Sequence, residues 1–254
     1  MGLAGRTGAA REPHRHEPGA EAVAGCEKRF GARRSCRSVR GMDLSAASEI
    51  GSVDELTDII GEPPQRVLDK ERPRLHELDR QWLAASPFCL VATSDSEGRC
   101  DVSPKGDPAG FTRVLDERTI AVPERPGNRQ VDGFRNILRN PHVGLLYFIP
   151  GRGDTLRING RARLLRDAPF FDDLVVKGHR PEVVLLVEIE QVFHHCAKAF
   201  LRSGLWNPET WDPDAVTTRA RIAKELERPD DSLTELEHYY SPDQYRRTLY
   251  DAGA

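Results

Sequence analysis

Residues 88–105 read FCLVATSDSEGRCDVSPK and predict two β-strands joined by a turn. Residues 88–93 form a compact apolar segment of strand length, and residues 99–105 have the pattern of a second strand. Between them, residues 95–98 (Asp-Ser-Glu-Gly) have the composition of a turn. The segment therefore predicts an antiparallel hairpin.

Further strands are predicted downstream of this hairpin. They cover residues 112–115, 119–122, 142–149, 155–166 with a bulge at Gly160, and 183–192. Few helices separate them, and the clearest helical pattern spans residues 130–139. Because parallel βαβ units would place a helix after nearly every strand, this pattern favours a mainly β, antiparallel barrel with peripheral helices (α+β).

Helical patterns flank the predicted strands on both sides. Ser52 and Glu55 have the spacing of a capping box, and the last part of the chain is helical and charged. We predict four regions along the chain. They are a disordered basic tail (1–48), N-terminal helices (49–87), the β-barrel (88–206) and a C-terminal helical extension (207–254).

The bulk composition predicts a cytoplasmic protein with no membrane partner. Of 254 residues, 38% are hydrophobic, and no apolar run approaches the roughly 20 residues that span a bilayer. Residues 1–40 lack the apolar segment of a secretory signal. The five cysteines are odd in number and form no CxxC pair, which indicates reduced thiols.

The N-terminal segment has an excess of positive charge. Residues 1–41 hold nine Lys or Arg and four Asp or Glu, whereas the whole chain has a net charge of −3. A basic tail can bind nucleic acid. Aromatic side chains that could stack on bases are nearly absent there, so we expect an unfolded tail and no nucleic-acid partner.

The sequence predicts no metal site. His194-His195-Cys196 is the one cluster of metal-ligand residue types at short spacing. Adjacent residues of a strand point to opposite faces, so this cluster does not converge on one ion.

Two segments are candidates for binding a phosphate. Ser103 and Lys105 are two residues apart at the end of a predicted strand and therefore share a face. Asn128 and Arg129 lie at the predicted start of the helix over residues 130–139, where free N–H groups favour an anion. The spacing leaves open the alternative that Lys105 and Arg129 are ordinary solvated side chains.

Four blocks carry a resemblance to a known family. In order, they are SPKGDPAGF (103–111), PERPGNRQVDGFRNILRNPHVGLL (123–146), LRINGRARL (156–164) and CAKAFLRSGLW (196–206). Over about residues 78–206 the sequence resembles the pyridoxamine 5'-phosphate oxidase-like superfamily, and is most similar to a branch of flavin enzymes. The resemblance implies a six-stranded antiparallel split β-barrel that works as a homodimer, with flavin mononucleotide (FMN) in the groove between the subunits.

The resemblance also implies roles for individual residues at one end of the flavin. Ser103 and Lys105 match the strand that reaches the FMN phosphate. Asn128 and Arg129 match the loop that grips the same phosphate. Pro123 and its neighbours match backbone contacts to the isoalloxazine ring.

Other matched residues are expected elsewhere around the cofactor. Arg157 and Asn159 match the long strand beneath the flavin. Four residues match the segment that reaches the cofactor from the second subunit: Lys198, Arg202, Ser203 and Trp206. Two alternatives stay open, namely that Trp206 is a packing aromatic and that Arg202 and Ser203 form a surface pair at a helix end.

The sequence also departs from true pyridoxamine-phosphate oxidase. Its C-terminal region lacks the Arg-x-His arrangement that the oxidase uses on its substrate, so pyridoxamine phosphate is not the expected substrate. No G-x-G-x-x-G opens a helix after a strand, so NAD(P)H is expected only as a transient partner over the flavin. The catalytic residues stay unassigned, because no acid, base or nucleophile has a recognisable partner.

The expected function is that of an FMN-dependent oxidoreductase acting on an unknown small molecule. The alternatives are a non-enzymatic flavin-binding or storage protein, and the same barrel holding a deazaflavin or haem. Four apolar residues lie on strands that could form either the dimer interface or the barrel core: Leu145, Leu146, Val184 and Leu186.

Overall fold

The computed structural model describes residues 43–251, so most of the predicted disordered tail lies outside the described residues. The chain divides into two units, residues 1–60 and 61–254. Within the first, helix α1 (Val53–Ile60) has the expected cap, because Ser52 Oγ accepts from the Glu55 N–H at 3.1 Å. The Glu55 carboxylate accepts from the N–H of Gly51 at 2.9 Å, one residue before the position that a capping box uses.

The second unit is built on one antiparallel sheet. Its strands are β1 (Phe88–Ser94), β2 (Cys100–Gly106), β3 (Arg113–Val114), β4 (Thr119–Pro123), β5 (His142–Phe148), β6 (Thr155–Leu165) and β7 (Val184–His195). Their order is β2-β1-β5-β6-β7-β4-β3, and neighbouring strands pair antiparallel. The mainly antiparallel fold with peripheral helices is therefore confirmed, as is the hairpin over residues 88–105.

The sheet has seven strands, as many as the sequence patterns predict and one more than the six that the resemblance implies. The seventh strand is the short β3, which forms because Arg113 and Val114 pair with β4 across a tight turn. The hydrogen-bonded sheet ends at β2 on one side and at β3 on the other, so its ladder does not close into a ring.

Short helices surround the sheet. They are α2 (Gln65–Leu68), α3 (Glu77–Ala85), α4 (Asp132–Ile137), α5 (Lys198–Ser203), α6 (Arg219–Leu226), α7 (Leu233–Tyr239) and α8 (Pro242–Thr248), with 3₁₀ turns at Pro169–Leu174, Pro208–Thr210 and Pro213–Ala215. Pro73 lies between α2 and α3, and without an N–H it cannot contribute to a continuous helix there. Over residues 43–251, no helix has the length and apolar content needed to cross a bilayer.

The main core lies against one face of the sheet. It contains buried side chains from β1, β4, β5, β6 and β7 together with Leu83 of α3 and Ile137 of α4. Tyr147 and Leu145 of β5 are almost fully enclosed there. We call this side of the sheet the inner face, and the opposite side the outer face.

A second, smaller core buries two of the four residues for which interface and core both stayed open. Val184 and Leu186 of β7 pack with Phe171 and Leu174 of the 3₁₀ turn at Pro169–Leu174, and all four side chains are buried. Leu145 is also buried, in the main core. Of the four candidates, Leu146 is the one that is only half-buried, and it lies on the outer face because neighbours on a strand point to opposite sides.

The bulge predicted at Gly160 is present. The pairing of β6 with β7 shifts register between Asn159 and Gly160. A Cβ atom at Gly160 would lie 2.1 Å from the carbonyl oxygen of Glu188, so only glycine allows the two strands to approach this closely.

Candidate cofactor site

Ser103 and Lys105 both lie on the inner face of β2. Ser103 pairs with Val91 and Lys105 pairs with Cys89, and directly paired residues share a face. Val91 and Cys89 are buried in the main core, so Ser103 and Lys105 stand at its rim. The Ser103 hydroxyl donates to Asp101 Oδ2 at 3.1 Å.

The Lys105 ammonium group is nearly enclosed, with its side chain 16% exposed. It forms an ion pair with the Glu124 carboxylate and lies 5.0 Å from the centre of the Phe134 ring. Because an enclosed charge is costly without a partner, Glu124 is what makes the position of Lys105 tolerable. Glu124 directly follows β4, and its N–H donates to the Val183 carbonyl at 2.9 Å.

Helix α4 closes the space around Lys105. Gly133 is buried, and a Cβ atom there would lie 2.9 Å from Asp101 Oδ2 and 3.5 Å from Thr93 Oγ1. The close approach leaves a pocket of only about 10 Å³. Its lining includes Ser103, Lys105, Glu124, Gln130 and Phe134.

A much larger cavity of about 760 Å³ adjoins this small pocket. Residues 124–131 and 178–183 line it, together with Phe134, Tyr250 and Asp251. Its volume falls within the roughly 300–1,000 Å³ that is usual for small-molecule sites. The two cavities share four residues on their walls: Glu124, Gln130, Val131 and Phe134.

Asn128 and Arg129 line the larger cavity, but not from a helix. Helix α4 begins at Asp132, so the prediction that these residues open the helix is wrong. The Asn128 side chain accepts from the Gln130 N–H at 3.0 Å, and Arg129 has a left-handed backbone with φ of 61°. This turn delays the helix and leaves both side chains on an exposed loop.

Arg125 fixes the base of that loop. Its Nε donates to Asp107 Oδ2 at 2.6 Å, and an Nη donates to the Leu174 carbonyl at 2.7 Å. The Tyr250 hydroxyl donates to the other oxygen of Asp107 at 2.6 Å. Burial, and then the bond to Asp107, raise the pKa of Tyr250, which keeps this hydroxyl protonated as a donor.

Arg157 and Asn159 lie on the outer face of β6. Arg157 pairs with Leu146 and Asn159 pairs with Gly144, which places both on the side opposite Ser103 and Lys105. The Arg157 Nε donates to Asn159 Oδ1 at 3.1 Å. A single chain therefore does not bring these two predicted pairs onto one surface.

The last group of predicted residues occupies α5 and the loop after it. Lys198, Arg202 and Ser203 are exposed, and the Ser203 hydroxyl donates to the Phe200 carbonyl at 3.1 Å. Trp206 donates from Nε1 to the Arg152 carbonyl at 2.7 Å and stacks on Phe200 with ring centres 6.0 Å apart.

The histidines of β7 have structural partners. His194 Nε2 lies 3.1 Å from Asp79 Oδ1, and the ring of His195 packs on Phe193. Burial, followed by the nearby Arg157 and Lys70, lowers the pKa of His195. No group of three His, Cys, Asp or Glu side chains in the part of the chain that the structure describes is arranged to hold a metal ion.

The comparison with protein families identifies the central part of the chain. Residues 75–196 match the family model described as pyridoxamine 5'-phosphate oxidase. The resemblance to the pyridoxamine 5'-phosphate oxidase-like superfamily is therefore confirmed for this part of the chain. The match covers β1 to β7, and so includes Lys105, Arg129 and Arg157 but not Trp206 or Tyr250.

Solved structures resemble the same region at low identity. HupZ from Group A Streptococcus is 18% identical with a TM-score of 0.39, covering 47% of this chain and 93% of its own. An FMN-binding protein from Syntrophomonas wolfei is 11% identical with a TM-score of 0.36, covering 47% and 89%. HutZ, the heme storage protein from Vibrio cholerae, is 15% identical with a TM-score of 0.35, covering 48% and 94%. The comparison with curated proteins gave no match.

Sequence reasoning missed several residues around the candidate site. Glu124 stood inside the quoted PERPGNRQ block, where an acidic residue directly after a strand was a usable signal. Phe134 and Gly133 were part of the same block but looked like ordinary helix residues. Tyr250 gave no signal, because its partner Asp107 is 143 residues away in sequence.

Proposed function

We propose that the protein binds FMN in the 760 Å³ cavity, at a groove shared by two copies of the chain, and uses it to oxidise or reduce a small molecule. The observation that carries the proposal is the joint position of this cavity and the Lys105 pocket within the superfamily region. Bound FMN would supply the redox chemistry, and the protein would supply binding, orientation and electrostatics.

The phosphate end is assigned to Lys105 and the loop with Asn128 and Arg129. An FMN phosphate carries about −1.5 to −2 charges at neutral pH, so it needs several donors, preferably cationic ones. Lys105 stands beside the cavity and Arg129 lines it. Ser103 and Asn128 add neutral polar groups at the same end.

The second copy is inferred from the outer face. Its β1, β2 and β5 residues form a stripe that is largely apolar, which we call the outer stripe: Phe88, Leu90, Val102, Pro104, Leu146 and Phe148. Phe88 is 38% and Val102 57% exposed. Arg157 and Asn159 continue this surface on β6. The ring of Phe200 in α5 packs on the Phe148 ring, with ring centres 5.9 Å apart. Packing two such stripes would remove the apolar surface from water and bring the outer-face polar residues to a partner.

The roles of the protein's own groups follow from this placement. Lys105 and Arg129 would bind and orient the phosphate, Pro123 and Glu124 would present backbone atoms to the ring, and the partner's surface would exclude water. NAD(P)H would contact the flavin only transiently. We assign no side chain to proton transfer.

The first experiment is the absorption spectrum of the purified protein, because FMN, a deazaflavin and haem absorb differently. Bleaching of bound flavin by NADH or NADPH would support the oxidoreductase. A flavin that stays oxidised with both reductants would favour the storage alternative. A haem spectrum with no flavin binding would overturn the proposal.

The phosphate assignment is tested by flavin fluorescence titration. Arg129→Ala and Lys105→Ala should each weaken FMN binding by roughly 10- to 100-fold, since charged hydrogen bonds contribute about 1.5–3 kcal/mol. Riboflavin, which lacks the phosphate, should change little. The matched control is Arg135→Ala, an exposed arginine of α4 paired with Asp132. Equal losses for both ligands would remove these residues from the phosphate site.

The dimer is tested at Val102, which is exposed on β2, at one edge of the outer stripe. Val102→Glu should shift the protein to monomers in sedimentation experiments, because it places a charge in an apolar interface. FMN affinity should fall with the dimer. Glu97→Lys, in the exposed β1–β2 turn, is the control. A monomeric wild type that retains tight FMN binding would contradict the shared groove.

A further inference from the structure

Lys105, the cation assigned above to the phosphate, already has an anionic partner. Its ammonium group is paired with Glu124 and packed on the Phe134 ring, and the two charged side chains are 16% and 27% exposed. The pair is therefore neutral as a unit, and each charge depends on the other for its partial burial.

The space around this pair is too small for a phosphate group. The pocket beside Lys105 holds about 10 Å³, which is about the volume needed to hold one water molecule. Helix α4 packs closely against β2 on that side, because a Cβ atom at Gly133 would lie 2.9 Å from Asp101 Oδ2. A phosphate can reach Lys105 only if a wall of the pocket moves.

The Glu124 side chain forms a wall of the small pocket and has open space into which it can rotate. The Glu124 backbone is held by the bond from its N–H to the Val183 carbonyl, but the side chain borders both the small pocket and the 760 Å³ cavity. Rotation of the side chain into the larger cavity would expose Lys105 without breaking the strand. The cost is the loss of the ion pair.

We infer that Glu124 is an internal competitor of the flavin phosphate for Lys105, and that it determines how strongly the site prefers FMN over riboflavin. This inference rests on the proposed function. An FMN phosphate must displace the Glu124 carboxylate from the ammonium group, and the displaced carboxylate still repels it. Riboflavin carries no phosphate and leaves the pair intact, so Glu124 lowers the affinity for FMN selectively.

The test is Glu124→Gln, which keeps the shape of the side chain and removes its charge. FMN should bind roughly tenfold more tightly to this variant than to wild type, the scale of one charged interaction. Riboflavin affinity should stay within about twofold. Both are measured by flavin fluorescence titration, with thermal melting to confirm folding. Weaker or unchanged FMN binding would overturn the inference.

Two further variants separate competition from a general charge effect. In a Lys105→Met background, Glu124→Gln should tighten FMN binding by less than about threefold, because there is no ammonium group left to compete for. Glu182→Gln removes another carboxylate of the same cavity and should have a similarly small effect. Equal tightening in both Lys105 backgrounds, or by Glu182→Gln, would show simple repulsion and refute the competition.

A shorter acid gives an independent check if Glu124→Gln fails to fold. Glu124→Asp keeps the charge but withdraws it from Lys105, and FMN affinity should again rise relative to riboflavin. An FMN affinity that falls in this variant would contradict the inference. Wild type that binds both flavins equally well, with Lys105→Met unchanged, would instead refute the phosphate assignment itself.

Discussion

Two partly buried ion pairs in this protein have different surroundings. The Asp79 cluster, formed by Arg72, Asp79 and His194, joins α3 to β7, whereas the Lys105–Glu124 pair stands beside the large cavity. Asp79 is 1% exposed and accepts two bonds from Arg72, at 2.5 and 3.0 Å, and one from the His76 N–H at 2.7 Å. Glu124 is 27% exposed and borders open space.

The difference separates a structural pair from one suited to binding. The Asp79 carboxylate is saturated with donors, and Arg72 also bridges to Val192 through backbone bonds of 3.1 and 2.8 Å. No ligand could replace these contacts without opening the fold. The Lys105–Glu124 pair can be opened by moving one side chain, so it can exchange a protein anion for a ligand anion.

The largest expected effect is on stability, at Asp79. Asp79→Ala should lower the free energy of unfolding by about 3–5 kcal/mol, because it leaves the Arg72 charge without its partner. The remaining folded protein should bind FMN as wild type does. Chemical denaturation and flavin titration measure the two effects. Asp132→Ala, at an exposed pair with Arg135, should cost less than about 1 kcal/mol.

That prediction would fail if Asp79→Ala left stability unchanged. It would also fail if the variant lost FMN binding while remaining fully folded. Either result would mean that the Asp79 cluster is not purely structural, and that the contrast with the Lys105–Glu124 pair is misplaced.

The second effect, which is smaller at most pH values, is the loss of stability at acidic pH. Burial alone would raise the pKa of Asp79, but the bonds from Arg72, the His76 N–H and His194 outweigh it, and the pKa is lowered. A depressed carboxyl pKa stabilises the fold above the unfolded value of about 3.9, and this contribution is lost as pH falls through the folded value. Stability should therefore drop below about pH 4, and Asp79→Asn should flatten this drop. Denaturation at pH 3–7 tests it, and an unchanged slope would contradict it.

The smallest expected effect is at Tyr250. Tyr250→Phe removes the hydroxyl that donates to Asp107 but keeps the ring, and Arg125 still holds that carboxylate. Stability should fall by about 0.5–1.5 kcal/mol, and FMN affinity by less than about threefold. Thermal melting and titration measure both. A large loss of FMN affinity at unchanged stability would place Tyr250 in direct contact with the ligand.

Local patterns in the sequence predicted much of the sheet. The 88–105 hairpin and the Gly160 bulge follow from turn composition and from strand alternation, and both are present. Strand β7 is longer than predicted, because residues 193–195 pair with the start of β6. No local sequence pattern signals this pairing. Helix α4 begins later than predicted, because the left-handed backbone of Arg129 places a turn before it. The sequence pattern did not indicate this turn.

The candidate site was less accessible to sequence reasoning. Ser103 and Lys105 were placed together by their spacing on a strand, which the structure reproduces. The pairing of Lys105 with Glu124 joins residues 19 apart, and that of Tyr250 with Asp107 joins residues 143 apart. Such contacts depend on how β2, β4 and the C-terminal helices are arranged, and no periodicity encodes them. The roles in FMN binding stay predictions.

The placement of Lys105 and Arg157 on opposite faces of one sheet has a thermodynamic consequence under the proposed function. A ligand that needs both faces is bound fully only by the assembled pair, so ligand binding and self-association become linked equilibria. FMN should then strengthen the association of two chains by the same factor by which association strengthens FMN binding. The apparent affinity for FMN would rise with protein concentration, and dilution alone would release the cofactor.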